Sequence, residues 1–304
     1  MERYVGFIAA FAALACALGA EAPGVPVRAV VTLEPRRGNT ILPIEAKDIA
    51  VEQGKERRPV MGLKPLGNGG NLQLMLLIDD SARGTFDMEI PTLKRWVNQM
   101  PPDAEVAVAY MRNGMVAVTA HFTKDHMAAA NGIRVAAGPG GANVNPYESL
   151  EDAIKKWPTG GAERKIVVMV SSGIEGLGGG YNSDNPYVNT GIRAALKAGV
   201  VVYTVYSPSV GHAGHSLWRS TWGQNFLSQL SDETGGESYI IGFGSPVSFQ
   251  PFLDAIFERL KHQFVLTFSA RPEQKAGLQP VRIFILEKDA SIAAPDKVYV
   301  PASL

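Results

Sequence analysis

LQLMLLIDDSARGTF, residues 72–86, is the stretch that decides the fold. Its first half is a near-continuous apolar run, the pattern of a strand buried on both faces of a parallel sheet, without the alternation that one wet face imposes. The run ends in two acids, Asp79 and Asp80, followed by Ser81 and, one alanine later, Arg83. A buried strand that delivers carboxylates and a hydroxyl to a loop presents the hard oxygen ligands that a divalent cation takes. A guanidinium in the same loop can only donate hydrogen bonds. The stretch therefore raises two questions: which sheet the strand belongs to, and whether its end holds a metal.

On the carboxyl side, helical and extended patterns alternate. FDMEIPTLKRWVNQM places Ile90, Leu93, Trp96, Val97 and Met100 on one helical face. EVAVAYM and GMVAVTAHF are strands joined by RNG, a hairpin signal with Asn113 and Gly114 in the turn. TKDHMAAANGIR and PYESLEDAIKKW are helical, KIVVMVS is a buried strand, and VNTGIRAALKAG is a helix closed by Gly199. VVVYTVYS, the helix QNFLSQLSDETGG and the strand ESYIIG complete the series. This order predicts an α/β fold, an open and mainly parallel sheet with helices on both faces and one antiparallel hairpin strand. Ligands of such sheets sit outside the carboxyl ends of the strands, where Asp79 lies.

The flanks read differently. VRAVVTLEP and DIAVEQGKERRPVMGLKPL are short strands, and GNGG is a linker. Near the other end, FQPFLDAIFERLKHQF is an amphipathic helix, and FVLTFSA, PVRIFILE and KVYV are strands. The strands from the two termini are expected to pair in a small β unit. The chain divides into an export signal at 1–20, an N-terminal β segment at 25–67, the α/β domain at 71–243, and a C-terminal helix with β-strands at 247–304.

The 29 basic and 29 acidic residues cancel, and no basic face with interleaved aromatics stands out, so nucleic acid is not an indicated partner. MERYVGFIAAFAALACALGA has Arg3 before an apolar stretch and small residues behind it, the pattern of an export signal cleaved after Ala20. The stretch is too short for a convincing membrane span, so no span is expected after cleavage, and the chain is expected to be periplasmic or secreted. Lipid anchoring through Cys16, the single cysteine, is the lesser alternative, because Ala13 stands where a lipoprotein box prefers leucine. Without Cys16 the mature chain has no disulfide and no thiol nucleophile.

In this order and spacing the pieces resemble the von Willebrand factor type A (vWA) family, in particular a VWFA-related branch of exported bacterial proteins. EAKDIAVEQGKERRPV is similar to that branch's pre-domain stretch, and LLIDDSARGTF stands where the family has an Asp-x-Ser-x-Ser loop. LSQLSDETGGESYII looks like its late helix and strand entry, and LKHQFVLTFSA like its post-domain helix and strand. The resemblance implies a vWA (Rossmann-like) fold and a metal-ion-dependent adhesion site (MIDAS) of three loops. Those loops supply Asp, Ser and Ser, then Thr, then Asp, to Mg²⁺, and a partner's carboxylate often completes the shell. Asp79 and Ser81 match the first two ligands, but Arg83 takes the place of the second serine. GPGGANVNPYESL has no threonine, Asn143 or Asn145 lying nearest to its position, and Ser172 stands where the third-loop Asp belongs. The site is therefore read as degenerate and metal-free, with Arg83 donating to Asp79 and to Ser81 or Ser172. The alternative keeps Mg²⁺ on Asp79, Ser81, Asp80 and an asparagine. Adjacent side chains at a strand end point to opposite faces, so Asp80 is expected to be solvated or to cap a neighbouring loop.

Other constellations are thinner. His212 and His215 lack a third zinc ligand. GHSLW begins like a hydrolase nucleophile elbow, but Trp218 replaces the closing glycine and no strand precedes it directly, which leaves a serine hydrolase around Ser216 or Ser172 as a remote alternative. Trp218 and Trp222, in what reads as a long polar loop on the upper rim, are either interface anchors or packed down on the domain. The sequence thus reads as an exported protein-interaction module of adhesion or scaffold type. It is expected to bind a protein partner through the upper rim, with no catalysis and no cofactor; the rival reading is a Mg²⁺-dependent adhesion protein.

Overall fold

A computed structural model describes residues 24–36, 43–67, 71–82, 86–138, 145–176, 180–208, 216–243 and 246–303. Four strands come first: β1 (Val25–Pro35), β2 (Ile49–Gln53), β3 (Glu56–Arg58) and β4 (Val60–Pro65). The alternating region runs through β5 (Leu72–Asp79), α1 (Phe86–Asn98), β6 (Glu105–Arg112), β7 (Met115–Thr123), α2 (His126–Asn131) and α3 (Pro146–Lys155). It continues with β8 (Arg164–Ser171), α4 (Pro186–Ala198), β9 (Val200–Tyr206), α5 (Leu217–Thr234), β10 (Ser238–Tyr239) and α6 (Gln250–Lys261). The chain closes with β11 (Gln263–Ala270), β12 (Gly277–Ile285), β13 (Ala290–Ala293) and β14 (Lys297–Val300).

Six strands form the central sheet in the order β10-β9-β8-β5-β6-β7. Only β7 is antiparallel to its neighbour. The apolar run of β5 is explained by its middle position, since each face feeds a separate core. Leu74, Leu76 and Ile78 join α1 and α6 on one side, and Met75 and Leu77 join α3, α4 and α5 on the other. The hairpin between β6 and β7 turns on Asn113 (φ 54°) and Gly114 (φ 71°), the left-handed pair that a two-residue turn of the favoured hand requires. Helix α6 lies on the same core, where Trp96 Nε1 donates to Leu253 O at 2.9 Å.

Strands from both termini pair antiparallel, β1 with β11 and β2 with β12. They build two four-stranded sheets, β13-β1-β11-β4 and β14-β12-β2-β3, around one core that includes Val31, Val51, Leu266 and Phe268. Two arginines bind this β unit to the central sheet. Arg259 on α6 pairs with Glu34 of β1 and with Glu237 (3.0 Å). Arg164, at the start of β8 and 1% exposed, donates to Gln263 Oε1 of β11 at 3.4 Å and to Leu260 O of α6 at 2.6 Å. Burial depresses its guanidinium to about 10.

Two local expectations change. ESYIIG pairs with the sheet only at Ser238 and Tyr239, after which the chain leaves it and turns at Gly242 (φ 59°). Trp218 and Trp222 are not in a loop: α5 begins at Leu217, capped by Ser216, whose Oγ accepts from the Arg219 N–H at 3.4 Å. Trp218, Trp222, Phe226 and Leu230 recur every four residues along one helical row, and the polar residues between them hid that period. Among the described residues no helix is long and apolar enough to cross a membrane.

Candidate functional site

The loops after β5, β8 and β9 open at the carboxyl ends of parallel strands, on the upper rim. Asp79 closes β5 and is 5% exposed. Its Oδ1 accepts the Ser81 N–H (2.9 Å) and the Ser81 hydroxyl (2.6 Å), so the Asp-x-Ser turn is closed on itself. Its Oδ2 accepts the Ser171 hydroxyl at 3.4 Å. Burial pushes the Asp79 carboxyl above its ordinary range and the charge of Asp80 adds to this, while the serine bonds pull the other way. Arg83, the expected donor to Asp79, lies outside the described residues, as does Asn143.

Asp80 points elsewhere. It is fully buried rather than solvated, and its carboxylate meets two arginines absent from the sequence reading. Arg134 donates Nη1 to Oδ1 at 2.8 Å and Nη2 to Oδ2 at 3.3 Å, and Arg112 Nη1 stands 3.4 Å from Oδ2. The Ala137 N–H also donates to Oδ1 at 2.8 Å, which fastens the segment after α2 to the end of β5. The Arg134 guanidinium lies 4.0 Å from the Tyr110 ring centre. Burial alone would raise the Asp80 carboxyl; the bonds from Arg134 and Ala137 and the charges of both arginines overcome it and hold it below the ordinary range.

Asn145 is the cap of α3. Its Oδ1 accepts the N–H groups of Tyr147 (3.0 Å) and Glu148 (3.1 Å), which commits that oxygen to the helix. Its Nδ2 is buried without an acceptor among the described residues. Asn145 and Asp79 both line a cavity of about 10 Å³, room for roughly one water. In the third loop, Ser171 and not Ser172 reaches Asp79, and Ser171 Oγ also accepts the Gly173 N–H at 3.1 Å. Ser172 is buried with its carbonyl against α5; a Cβ on Gly223 would stand 2.2 Å from Ser172 O, so only glycine fits there. Glu175, which the sequence reading passed over, is buried and receives Asn185 Nδ2 at 3.3 Å.

Mg²⁺ takes an octahedral set of oxygens with one or two carboxylates among them. From the described residues, this loop cluster offers Asp79, with Ser81 and Ser171 hydroxyls already turned onto it, while the third-loop Glu175 receives Asn185. Asp80 faces its arginines and the Asn145 oxygen faces its helix. These groups do not make such a set. The described residues contain no cluster of three or more His, Cys, Asp and Glu side chains disposed around one point. His212 and His215 lie outside the described residues, and Ser216 Oγ serves the α5 backbone.

Apolar side chains are also exposed on the described part of the rim. Trp218 is 57% exposed, with its ring 4.4 Å from that of Tyr181. Trp222 is half-buried on Phe226 (5.6 Å) and packs on the core. Gln224 Nε2 donates to Gly242 O at 2.6 Å, and so holds the 240–243 segment beside α5. Leu217 (67%), Ile241 (60%) and Phe243 (48%) are exposed around this junction.

The fold is an open, mainly parallel α/β sheet with helices on both faces, the fold class read from the sequence, carrying a β unit built from both termini. No protein-family model and no curated protein matches the sequence. Solved structures are similar in fold, among them an aerotolerance-related membrane protein from Bacteroides fragilis (12% identity, TM-score 0.42, 62% of this chain and 98% of that one). Others are the ArnB paralog VWA2 from Sulfolobus acidocaldarius (10%, 0.41, 91% and 76%) and three N-terminal domains of the type V pili tip protein Mfa5 from Porphyromonas gingivalis (12%, 0.45, 93% and 67%). Identities this low leave the site to be read from its own side chains.

Proposed function

We propose that this chain is an exported, non-catalytic module that binds a protein partner through the upper rim of its sheet, without a metal ion. One observation carries the reading: large apolar side chains are exposed both at the start of α5, Leu217 and Trp218, and in the segment after β10 that Gln224 ties to the same helix, Ile241 and Phe243. Large apolar side chains grouped on a surface mark a recognition site. Trp218, braced by Tyr181, has already given up much of the rotamer freedom that binding would otherwise cost.

Two further points support the metal-free part. Burial disfavours the charged form of the Asp79 carboxyl, and its oxygens already accept from Ser81 and Ser171. The neighbouring acid is already neutralised by Arg134 and Arg112. Export rests on the apolar leader and places the mature start near Glu21. The test is capture of the native partner by the wild-type chain and by Trp218→Ala with Phe243→Ser. Loss of aromatic anchors is expected to cost about 2 kcal/mol or more of binding with the melting temperature unchanged. Undiminished capture by the double variant contradicts the rim as the binding surface.

A further inference from the structure

The rim is one end of the sheet. The other end lies about 20 Å away along β8, from Ser171 back to Lys165. There the starts of β8 and β9 meet the terminal β unit and enclose a cavity of about 450 Å³. Its floor is apolar, with Val27 of β1, Val201 of β9 and Val265 of β11 all buried. Its walls carry Arg28, Lys165 and Lys197.

These three cations outnumber the carboxylate that lines the cavity, Glu163, which feels the charge of Arg28 from beyond ion-pair distance. Glu163 is itself engaged by Lys64 (2.8 Å), and the fourth cation of the lining, Lys297, by Glu233 (3.1 Å). Among the described residues, Arg28, Lys165 and Lys197 have no carboxylate within ion-pair distance. Lys165 Nζ reaches only the Ala198 carbonyl, at 3.5 Å, and so occupies one of the acceptors at the carboxyl end of α4. Lys197 lies 6.0 Å over the Tyr299 ring. The chain as a whole is neutral, so this concentration of one sign is local. A concave, low-dielectric wall focuses such a field and attracts an anion. The volume falls within the range of small-molecule sites, about 300–1,000 Å³.

We propose that this cavity binds a small amphiphilic organic anion. An acidic head, carboxylate, sulfonate or phosphate, sits on Arg28, Lys165 and Lys197, and an apolar body lies on the valine floor. The site is independent of the rim and of what the rim binds.

Anilinonaphthalene sulfonate, a dye that brightens when it leaves water, has the required shape and charge; N-phenylnaphthylamine has the same rings and no charge. Titrated into the full chain, the sulfonate is expected to bind saturably at one site and to be displaced by octanoate. The neutral dye is expected to bind about tenfold more weakly or worse. The reversal Arg28→Glu with Lys197→Glu should weaken the sulfonate by about tenfold and leave the neutral dye and the melting temperature unchanged. The milder pair Arg28→Gln with Lys197→Gln should act in the same direction. Trp218→Ala, on the far rim, should leave both dyes unaffected. The proposal is overturned if the neutral dye binds as tightly, if neither charge variant weakens the sulfonate, if Trp218→Ala abolishes its binding, or if no saturable site appears.

Discussion

Replacing Arg134 by alanine would strip Asp80 of its closest cation. Asp80 is fully buried, and the variant would leave it the Ala137 N–H at 2.8 Å and Arg112 at 3.4 Å. Removing one partner of a fully buried ion pair costs about 3–5 kcal/mol. The Arg134 side chain is 38% exposed, so solvent already screens part of this pair, which brings the expected cost down to about 2–3 kcal/mol. Loss of the guanidinium stacked on Tyr110 adds about 0.5–1 kcal/mol. The Arg134 backbone stays anchored, because its N–H and C=O both bond Tyr110 Oη. Urea unfolding at neutral pH reads the total, about 2.5–4 kcal/mol, and an Asp80→Asn background isolates the charge pair. The pH dependence has a definite sign. Asp80 has its folded carboxyl pKa depressed, so the pair's contribution is present above the unfolded value of about 3.9 and is lost as pH falls through the folded value. The penalty of Arg134→Ala should therefore shrink in acid. A cost below about 0.5 kcal/mol at neutral pH, or one unchanged by Asp80→Asn, refutes the reasoning.

Asp79 behaves in the opposite sense. Its folded pKa is raised, so the native state holds its proton longer than the unfolded chain, and stability falls as pH rises from the unfolded value through the folded one. Asp79→Asn keeps an acceptor for Ser81 and removes the charge; denaturation across pH should show a flatter profile and a variant at least as stable as the parent at neutral pH. A marked loss there would reveal a bound cation on Asp79. Gly223→Ala should destabilise by about 1–3 kcal/mol in calorimetry, since the new methyl meets Ser172 O at 2.2 Å; a silent substitution would contradict the close approach of α5 to the third loop. Millimolar Mg²⁺ or a chelator should leave the melting temperature unchanged, and a clear rise with Mg²⁺ restores the Mg²⁺-dependent alternative on Asp79 and Ser81.

What could be read from the sequence was local. An uninterrupted apolar β5 requires a core on each face, Asn113-Gly114 specifies its own turn, and the strand runs near the two termini need partners that only each other can supply. The rim was harder because its bonds join distant residues. Arg134 sits 54 positions from Asp80 in a segment with no periodic pattern, and nothing local marks it as the partner of a buried acid. The choice between Ser171 and Ser172 depends on which side of the strand end faces Asp79, a matter of one residue of register. The start of α5 could have been found from the four-residue spacing of Trp218, Trp222, Phe226 and Leu230. Glu175 carried no such signal, since its burial follows from how the third loop folds over α4's cap, Asn185.

Recognition through the apolar rim is tested most directly by placing a photo-reactive benzoylphenylalanine at position 218, at 243 and, as a control, at Lys55, in the exposed turn between β2 and β3 on the terminal β unit. Irradiation of cells that export the chain should join one and the same protein to positions 218 and 243 and none to 55. Equal crosslinking from position 55, or none from 218 and 243, would contradict it.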